Sequence, residues 1–296
     1  MPDACVDGEL LDAKEARIPA TDDGLLRGDG VFEVVRLYGG RPFALDEHLE
    51  RMALSAANLR LPLDVAAVRA DVEALLGAAG PSDTNADGSA VAGTGTNADG
   101  SAVAGTGTNA DGSAVAGTDA CLRLVATRGG RRLAFVEPLP ASPTTLRLAS
   151  VTYAPTRLMD GVKSLSYAPN VLATRLAAER GADDALLVTP HGRVLEAPRQ
   201  SFFYVLDGAL CTPPLSDHVL DSITRRRVIA VAGARERSVA LDDLRHTEEA
   251  FLASTLREVH PVSAVDDVVF AAAPGPVTTA AAVAVRERIA GELHAG

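Results

Sequence analysis

The stretch Gly161-Val162-Lys163-Ser164-Leu165-Ser166-Tyr167 holds one of only two lysines in a chain of 296 residues that carries 28 lysines and arginines together. Lys14 is the other, and every remaining basic residue is an arginine. Arginine keeps its proton near neutral pH, whereas a lysine in a partly desolvated pocket becomes a neutral amine able to attack a carbonyl. Lys163 is therefore a candidate for Schiff-base chemistry. A codon bias towards arginine that leaves Lys163 as a surface charge accounts for the count as well, so the assignment turns on partners elsewhere in the chain.

Downstream, Pro169 opens an expected helix whose apolar positions are Val171, Leu172, Leu176 and Ala177, with Gly181 as its stop. Residues 185–189 read as a buried strand, 190–193 as a turn, and Val194-Leu195-Glu196 as the start of a return strand. Residues 202–206 form another strand, closed by the hairpin pair Asp207-Gly208. Thr212-Pro213-Pro214 leads through a loop to Leu220-Asp221-Ser222-Ile223-Thr224, where a further helix begins. Arg225, Arg226 and Arg227 fall in its first turn, where cations oppose the helix dipole. An anion such as a phosphate on the Ile223 and Thr224 amides would make that placement sensible. The strand from Glu249 ends in two hydroxyls, Ser254 and Thr255.

Upstream, residues 4–20 read as an opening hairpin, and 22–30 as a loop dense in glycine and aspartate. Val31 to Tyr38 is a strand in which Phe32, Val34, Arg36 and Tyr38 share one face and Val31, Glu33, Val35 and Leu37 the other. Arg36 is either a snorkelling edge residue or an anion-binding group. Asp46 is the expected N-cap of a helix over 47–59, with Leu49, Met52, Ala53 and Ala56 inward and Arg51 off that row. Helix 64–78 and strand 121–127 follow, and Arg128-Gly129-Gly130 ends the strand. Between them a twelve-residue unit of small residues runs twice in full and once truncated over 84–118. It offers too little apolar surface to order itself and reads as a flexible surface insertion. After a strand over 146–153, Ala154-Pro155-Thr156 reads as a passage between domains, giving an N-terminal domain at 1–152, a linker at 153–157 and a C-terminal domain at 158–296.

The net charge of −11 argues against nucleic acid as a partner. No run of about 18 apolar residues is present to span a membrane, and the start of the chain lacks the pattern of a secretion signal. Cys5, Cys121 and Cys211 are odd in number and widely spaced, as expected of reduced thiols in the cytoplasm. No cysteine or histidine cluster has metal-ligand spacing, so no metal site is expected.

Taken in order, Gly28-Asp29-Gly30-Val31-Phe32-Glu33, Glu47-His48-Leu49-Glu50-Arg51, Val162 to Tyr167, Gly192 to Glu196, Thr212-Pro213-Pro214, Ser222-Ile223-Thr224-Arg225 and Phe251 to Thr255 resemble the motifs of the fold-type IV pyridoxal phosphate enzymes. That group includes branched-chain aminotransferases, D-amino acid aminotransferases and aminodeoxychorismate lyase. The resemblance covers nearly the whole chain outside 84–118. It implies an α/β (α+β) fold of two domains, a small N-terminal α/β domain and a larger C-terminal mixed-sheet domain that binds pyridoxal 5′-phosphate.

It also implies roles. Lys163 would bind the cofactor as a Schiff base and move the substrate proton. Glu196 would keep the pyridine nitrogen protonated, and Tyr167 would meet the cofactor's 3′-oxygen. Arg51, Leu220, Ser222, Ile223, Thr224, Ser254 and Thr255 complete the cofactor-binding set, with Arg51 on the phosphate. Phe32, Val34, Arg36 and Arg128 fall at substrate-facing positions. Two residues depart from the family pattern: Ser222 stands where glycine is usual, and Ser201 where asparagine is frequent. Val34 resembles the D-amino acid enzymes and Tyr167 the branched-chain ones. The implied reaction is amino transfer between a branched-chain or D-amino acid and a 2-oxo acid, with aminodeoxychorismate lyase as the alternative and a homodimer as the expected assembly.

Overall fold

A computed structural model describes residues 2–78 and 119–295. The repeats at 84–118 lie outside the described residues. The chain forms two compact units: Met1–Ala53 with Leu61–Ala141, and Leu54–Arg60 with Ser142–Gly296.

The first unit is built on a six-stranded antiparallel sheet. Its elements are β1 (Ala4–Val6), β2 (Glu9–Leu11), the short α1 (Asp23–Arg27), β3 (Gly30–Tyr38), β4 (Arg41–Pro42), α2 (Leu45–Asn58), α3 (Val65–Ala78), β5 (Ala120–Thr127) and β6 (Arg132–Pro138). The sheet order is β2-β1-β6-β5-β3-β4. The alternation expected of β3 is present: Val31, Glu33, Val35 and Leu37 are buried, while Val34, Arg36 and Tyr38 are half-buried and Phe32 is nearly covered. Register pairs Val31, Glu33, Val35 and Leu37 with Ala126, Leu124, Leu122 and Ala120, so the inward rows of β3 and β5 run side by side. Leu49 and Met52 of α2 and Val68, Val72 and Leu75 of α3 are buried in the same unit. α2 begins at Leu45, so Asp46 lies inside its first turn and is not the N-cap.

The second unit carries an eight-stranded mixed sheet, β11-β10-β9-β12-β13-β7-β8, with β14 paired to β13. Its elements are β7 (Leu146–Thr152), α4 (Ala168–Glu179), β8 (Asp184–Val188), β9 (Ser201–Leu206), β10 (Ala209–Thr212), α5 (Ile223–Ala232), β11 (Arg235–Glu236), β12 (Glu249–Ser254), β13 (Glu258–Val265), β14 (Val268–Val269) and α6 (Pro276–Ala295). The division between units falls before Ser142 and not at 153–157. The reason is that β7 pairs in parallel with both β8 and β13 and so belongs wholly to the second sheet.

Core packing also corrects α4. Ala173 and Ala177 are its buried residues, while Val171, Leu172 and Leu176 stay exposed. Small side chains let the helix lie close against β7 and β8, where Ala149, Ala185 and Leu187 complete the cluster. At the other end, Glu249 on β12 accepts the Val277 and Thr278 amides at 3.0 and 2.8 Å and so caps α6. Among the described residues no helix is long and apolar enough to cross a membrane, and no cluster of acidic, histidine or cysteine side chains could hold a metal ion.

Candidate active site

In the second unit, Lys163 follows Gly161, whose φ of +69° takes the chain through a left-handed turn. The Lys163 amide donates to Ser55 Oγ at 3.1 Å, and Ser55, near the end of α2, is fully buried. The backbone bearing the lysine is therefore pinned while its side chain stays half-buried. Four residues on, Tyr167 stands at the N-cap position of α4 without capping it through its side chain, and its hydroxyl donates to the Pro198 carbonyl. Asn170 donates to the same oxygen at 3.0 Å.

Pro198 lies two residues past Glu196. The segment carrying Glu196 runs beside β8 through Leu187 N–H to Glu196 carbonyl (2.9 Å) and Leu195 N–H to Leu187 carbonyl (2.9 Å). It makes an isolated bridge with Val188 and not the full return strand expected. Glu196 Oε1 accepts the Leu220 amide at 3.0 Å. Tyr153, absent from the expected set, belongs to these surroundings: burial, and then the charge of Glu196, push its phenol pKa up. It ends the β7 stretch, and nothing local in the sequence marks it.

Two residues past Leu220, Ser222 caps α5 by accepting the Arg225 amide at 3.3 Å. A serine thus does the work of a cap where glycine is usual in the family. Ile223 and Thr224 are buried in the first turn, where a helix has no carbonyl to offer its amides. The arginines that follow do not point to an anion. Arg225 is buried and reaches the Pro213 carbonyl (2.8 Å) and Glu236 (2.5 Å), Arg227 pairs with Glu292 (2.6 Å), and Arg226 lies 3.5 Å from Asp221. Each charge is answered by a carboxylate of the same unit, so the dipole argument drawn from them falls, leaving the first-turn Ile223 and Thr224 amides to stand alone. At the end of β12, Ser254 Oγ lies 3.4 Å from Gln200 Oε1, and Thr255 opens the turn behind it.

In the first unit, Phe32, Val34 and Arg36 share the less buried face of β3. Arg36 lies 4.4 Å from the Tyr38 ring centroid and pairs with Asp119 at 2.8 Å. Arg128 meets Asp29 through Nε at 2.9 Å and Nη2 at 3.3 Å. Arg51 forms a two-pronged bond to Glu33, Nε to Oε1 and Nη2 to Oε2, both at 2.7 Å, and His48 Nδ1 lies 2.8 Å from Oε2. Glu33 and His48 are wholly buried. Burial alone would raise the Glu33 pKa, but the bonds from Arg51 and His48 outweigh it and hold the carboxyl down at about 2. A cavity of about 670 Å³ lined by Pro62, Asp64, Thr127, Gly130, Arg131 and Arg132 among others contains none of the expected site residues.

The donor set of the second unit fits pyridoxal phosphate in kind: a primary amine on pinned backbone, a carboxylate held by a backbone amide, a phenol, and a capped helix turn for a phosphate. The comparisons with known proteins agree. Residues 30–265 match the family model for amino-transferase class IV. The chain belongs to the class IV aminotransferases. Enzymes of this class depend on pyridoxal 5′-phosphate.

A putative branched-chain-amino-acid aminotransferase of Methanocaldococcus jannaschii is 29% identical over 284 residues, covering 88% of this aminotransferase and 87% of the relative. A D-alanine aminotransferase of Listeria monocytogenes is 31% identical over 287 residues, covering 92% and 91%. A fold IV-transaminase of Curtobacterium pusillum superposes with a TM-score of 0.75 at 26% identity, covering 98% of this chain and 99% of that one.

Proposed function

We propose that this class IV aminotransferase moves an amino group between a branched-chain or D-amino acid and a 2-oxo acid, with pyridoxal 5′-phosphate attached at Lys163. When bound, the cofactor supplies an electron sink for the charge left at the substrate Cα once its proton departs. Lys163 takes that proton and returns it, which requires a flexible amine on a fixed backbone. Glu196 holds a proton on the ring nitrogen, Tyr167 contacts the ring oxygen, and the Ile223 and Thr224 amides, the Thr224 hydroxyl, Ser222, Ser254 and Thr255 serve the phosphate together with Arg51. Phe32 and Val34 offer apolar surface to the substrate, and Arg36 and Arg128 are the candidate clamps for its carboxylate.

The observation that carries this reading is the bond from the Leu220 amide to Glu196. It ties the carboxylate assigned to the ring nitrogen to the loop that enters the α5 turn assigned to the phosphate. The aminotransferase relatives on both the branched-chain and the D-alanine side support transamination over the lyase alternative. The buried free thiols Cys5, Cys121 and Cys211 fit a cytoplasmic enzyme. The exposed row Val171, Leu172 and Leu176 on α4 supports a homodimer, since a second copy would cover it.

The test is spectroscopic and then kinetic. Purified protein should carry the visible absorbance of the bound cofactor, and Lys163→Ala should abolish it. Half-reactions with L-leucine, D-alanine and aminodeoxychorismate should yield the aminated cofactor with at least one of the first two. Product from aminodeoxychorismate alone, with release of pyruvate, would make the enzyme a lyase.

A further inference from the structure

Glu33 is a carboxylate on the interior face of β3, in a row otherwise made of Val31, Val35 and Leu37, and it is fully buried. Taking a carboxylate and a guanidinium out of water costs several kcal/mol per ion, and an apolar residue of similar volume is often as stable or more so. Packing therefore gives no reason for a glutamate here. Its contacts do. Both carboxylate oxygens are spent on one edge of the Arg51 guanidinium, at 2.7 and 2.7 Å, and His48 braces Oε2 at 2.8 Å from one turn earlier on the same helix. With Nε and Nη2 fixed in the plane of a buried carboxylate, Arg51 loses its rotational freedom.

We infer that Glu33, braced by His48, is the positioning residue that holds the Arg51 guanidinium in the orientation it needs to serve the cofactor phosphate. The inference rests on the proposed function through Arg51, and it assigns Glu33 and His48 a part that reading does not contain. The two possible effects of Glu33 on a phosphate have opposite signs. As a negative charge it repels the anion; as a brace it spares the anion the entropy of ordering a long side chain. If orientation dominates, removing the brace weakens phosphate binding even though it removes a repulsive charge.

The experiment titrates the protein, freed of cofactor, with pyridoxal 5′-phosphate and separately with pyridoxal, which lacks the phosphate. Glu33→Gln should lose roughly ten- to hundredfold in affinity for pyridoxal 5′-phosphate, by analogy with the loss found when the outer partner of a metal-ligating side chain is removed. Its affinity for pyridoxal should stay within about twofold, because that molecule does not use Arg51. In an Arg51→Lys background the same substitution should add little, because the group it orients is gone. Equal losses for the two molecules would mean that Glu33 only supports the fold, and tighter phosphate binding would mean that it only repels; either result overturns the inference. Should Glu33→Gln not fold, Glu33→Asp keeps the charge, withdraws the carboxylate by one methylene, and is judged by the same ratio. Wild-type protein that binds neither molecule would overturn the proposed function as well, which keeps the two failures apart.

Discussion

The carboxylate of Asp22 lies against the Cα of Gly129. A methyl group at Gly129 would fall 2.1 Å from Asp22 Oδ2. Asp22 has little room to retreat, because Thr127 Oγ1 donates to Oδ2 at 2.8 Å and the Gly24 amide to Oδ1 at 2.7 Å. This latch fastens the loop at the start of α1 to the end of β5, beside the Asp29 and Arg128 pair. Gly129→Ala should therefore destabilise the protein by about 1–3 kcal/mol, the usual cost of overpacking. Gly77→Ala, in open space on α3, should stabilise by up to about 1 kcal/mol through helix propensity. Denaturant unfolding of the two variants checks both signs, and similar midpoints would remove the latch from the account.

Acid should expose the Glu33 network. Its folded pKa of about 2 lies below the ordinary value of 4.5, so its stabilising effect is fully present above pH 4.5 and is lost as pH falls towards 2. Glu33→Gln should flatten the stability profile across that window relative to wild type. Glu33→Ala, which leaves Arg51 and His48 without their carboxylate, should cost roughly 3–5 kcal/mol at neutral pH. Thermal melts at several pH values measure both, and parallel profiles for wild type and Glu33→Gln would contradict the assignment.

Glu196→Gln keeps an oxygen that can accept the Leu220 amide, so the loop into α5 should hold and cofactor affinity should change little. The amide cannot keep a ring nitrogen protonated by charge. The expected result is a fall of roughly a hundredfold or more in kcat, as when a charge aimed at a developing charge is lost. KM should move far less. A variant with unaltered kcat would take Glu196 out of the chemistry.

The strands with clean alternation or a hairpin pair were legible in the sequence. β3 shows the buried and half-buried rows its residues imply, and Asp207-Gly208 turns between β9 and β10 with φ of +55° and +70°. Ser222 is a cap of a kind the sequence allows, because capping is local. β13 was missed because Pro261 sits inside it, which argues against a strand, yet Pro261 pairs opposite Phe251 in the sheet. α6 was missed because its alanine-rich run has weak periodicity and its cap, Glu249, comes from 28 residues upstream. At the site, the residue types of the motifs could be read in order, but the partners that fix them could not. Arg51 meets Glu33 from 18 residues away, and the Lys163 amide meets Ser55 from 108 away. Two of the arginines of α5 mislead for the same reason: Arg225 and Arg227 meet carboxylates at 236 and 292, outside the stretch that starts the helix.

α4 supplies the remaining test. Its alanines face the sheet and its larger residues do not: Leu172 is 53% exposed, Val171 41% and Leu176 39%. Leu172 and Leu176 stand one turn apart on one side of the helix, a row that water disfavours by about 25 cal/mol per Å² of apolar surface left uncovered. If a second copy covers this row, Leu172→Glu should bury a charge in the interface and shift the protein from dimer to monomer. The monomer fold should survive, because the core of α4 is Ala173 and Ala177. Light scattering on eluted protein reads the mass, and circular dichroism reads the fold. A variant that remains dimeric with native dichroism would show that any self-association uses another surface.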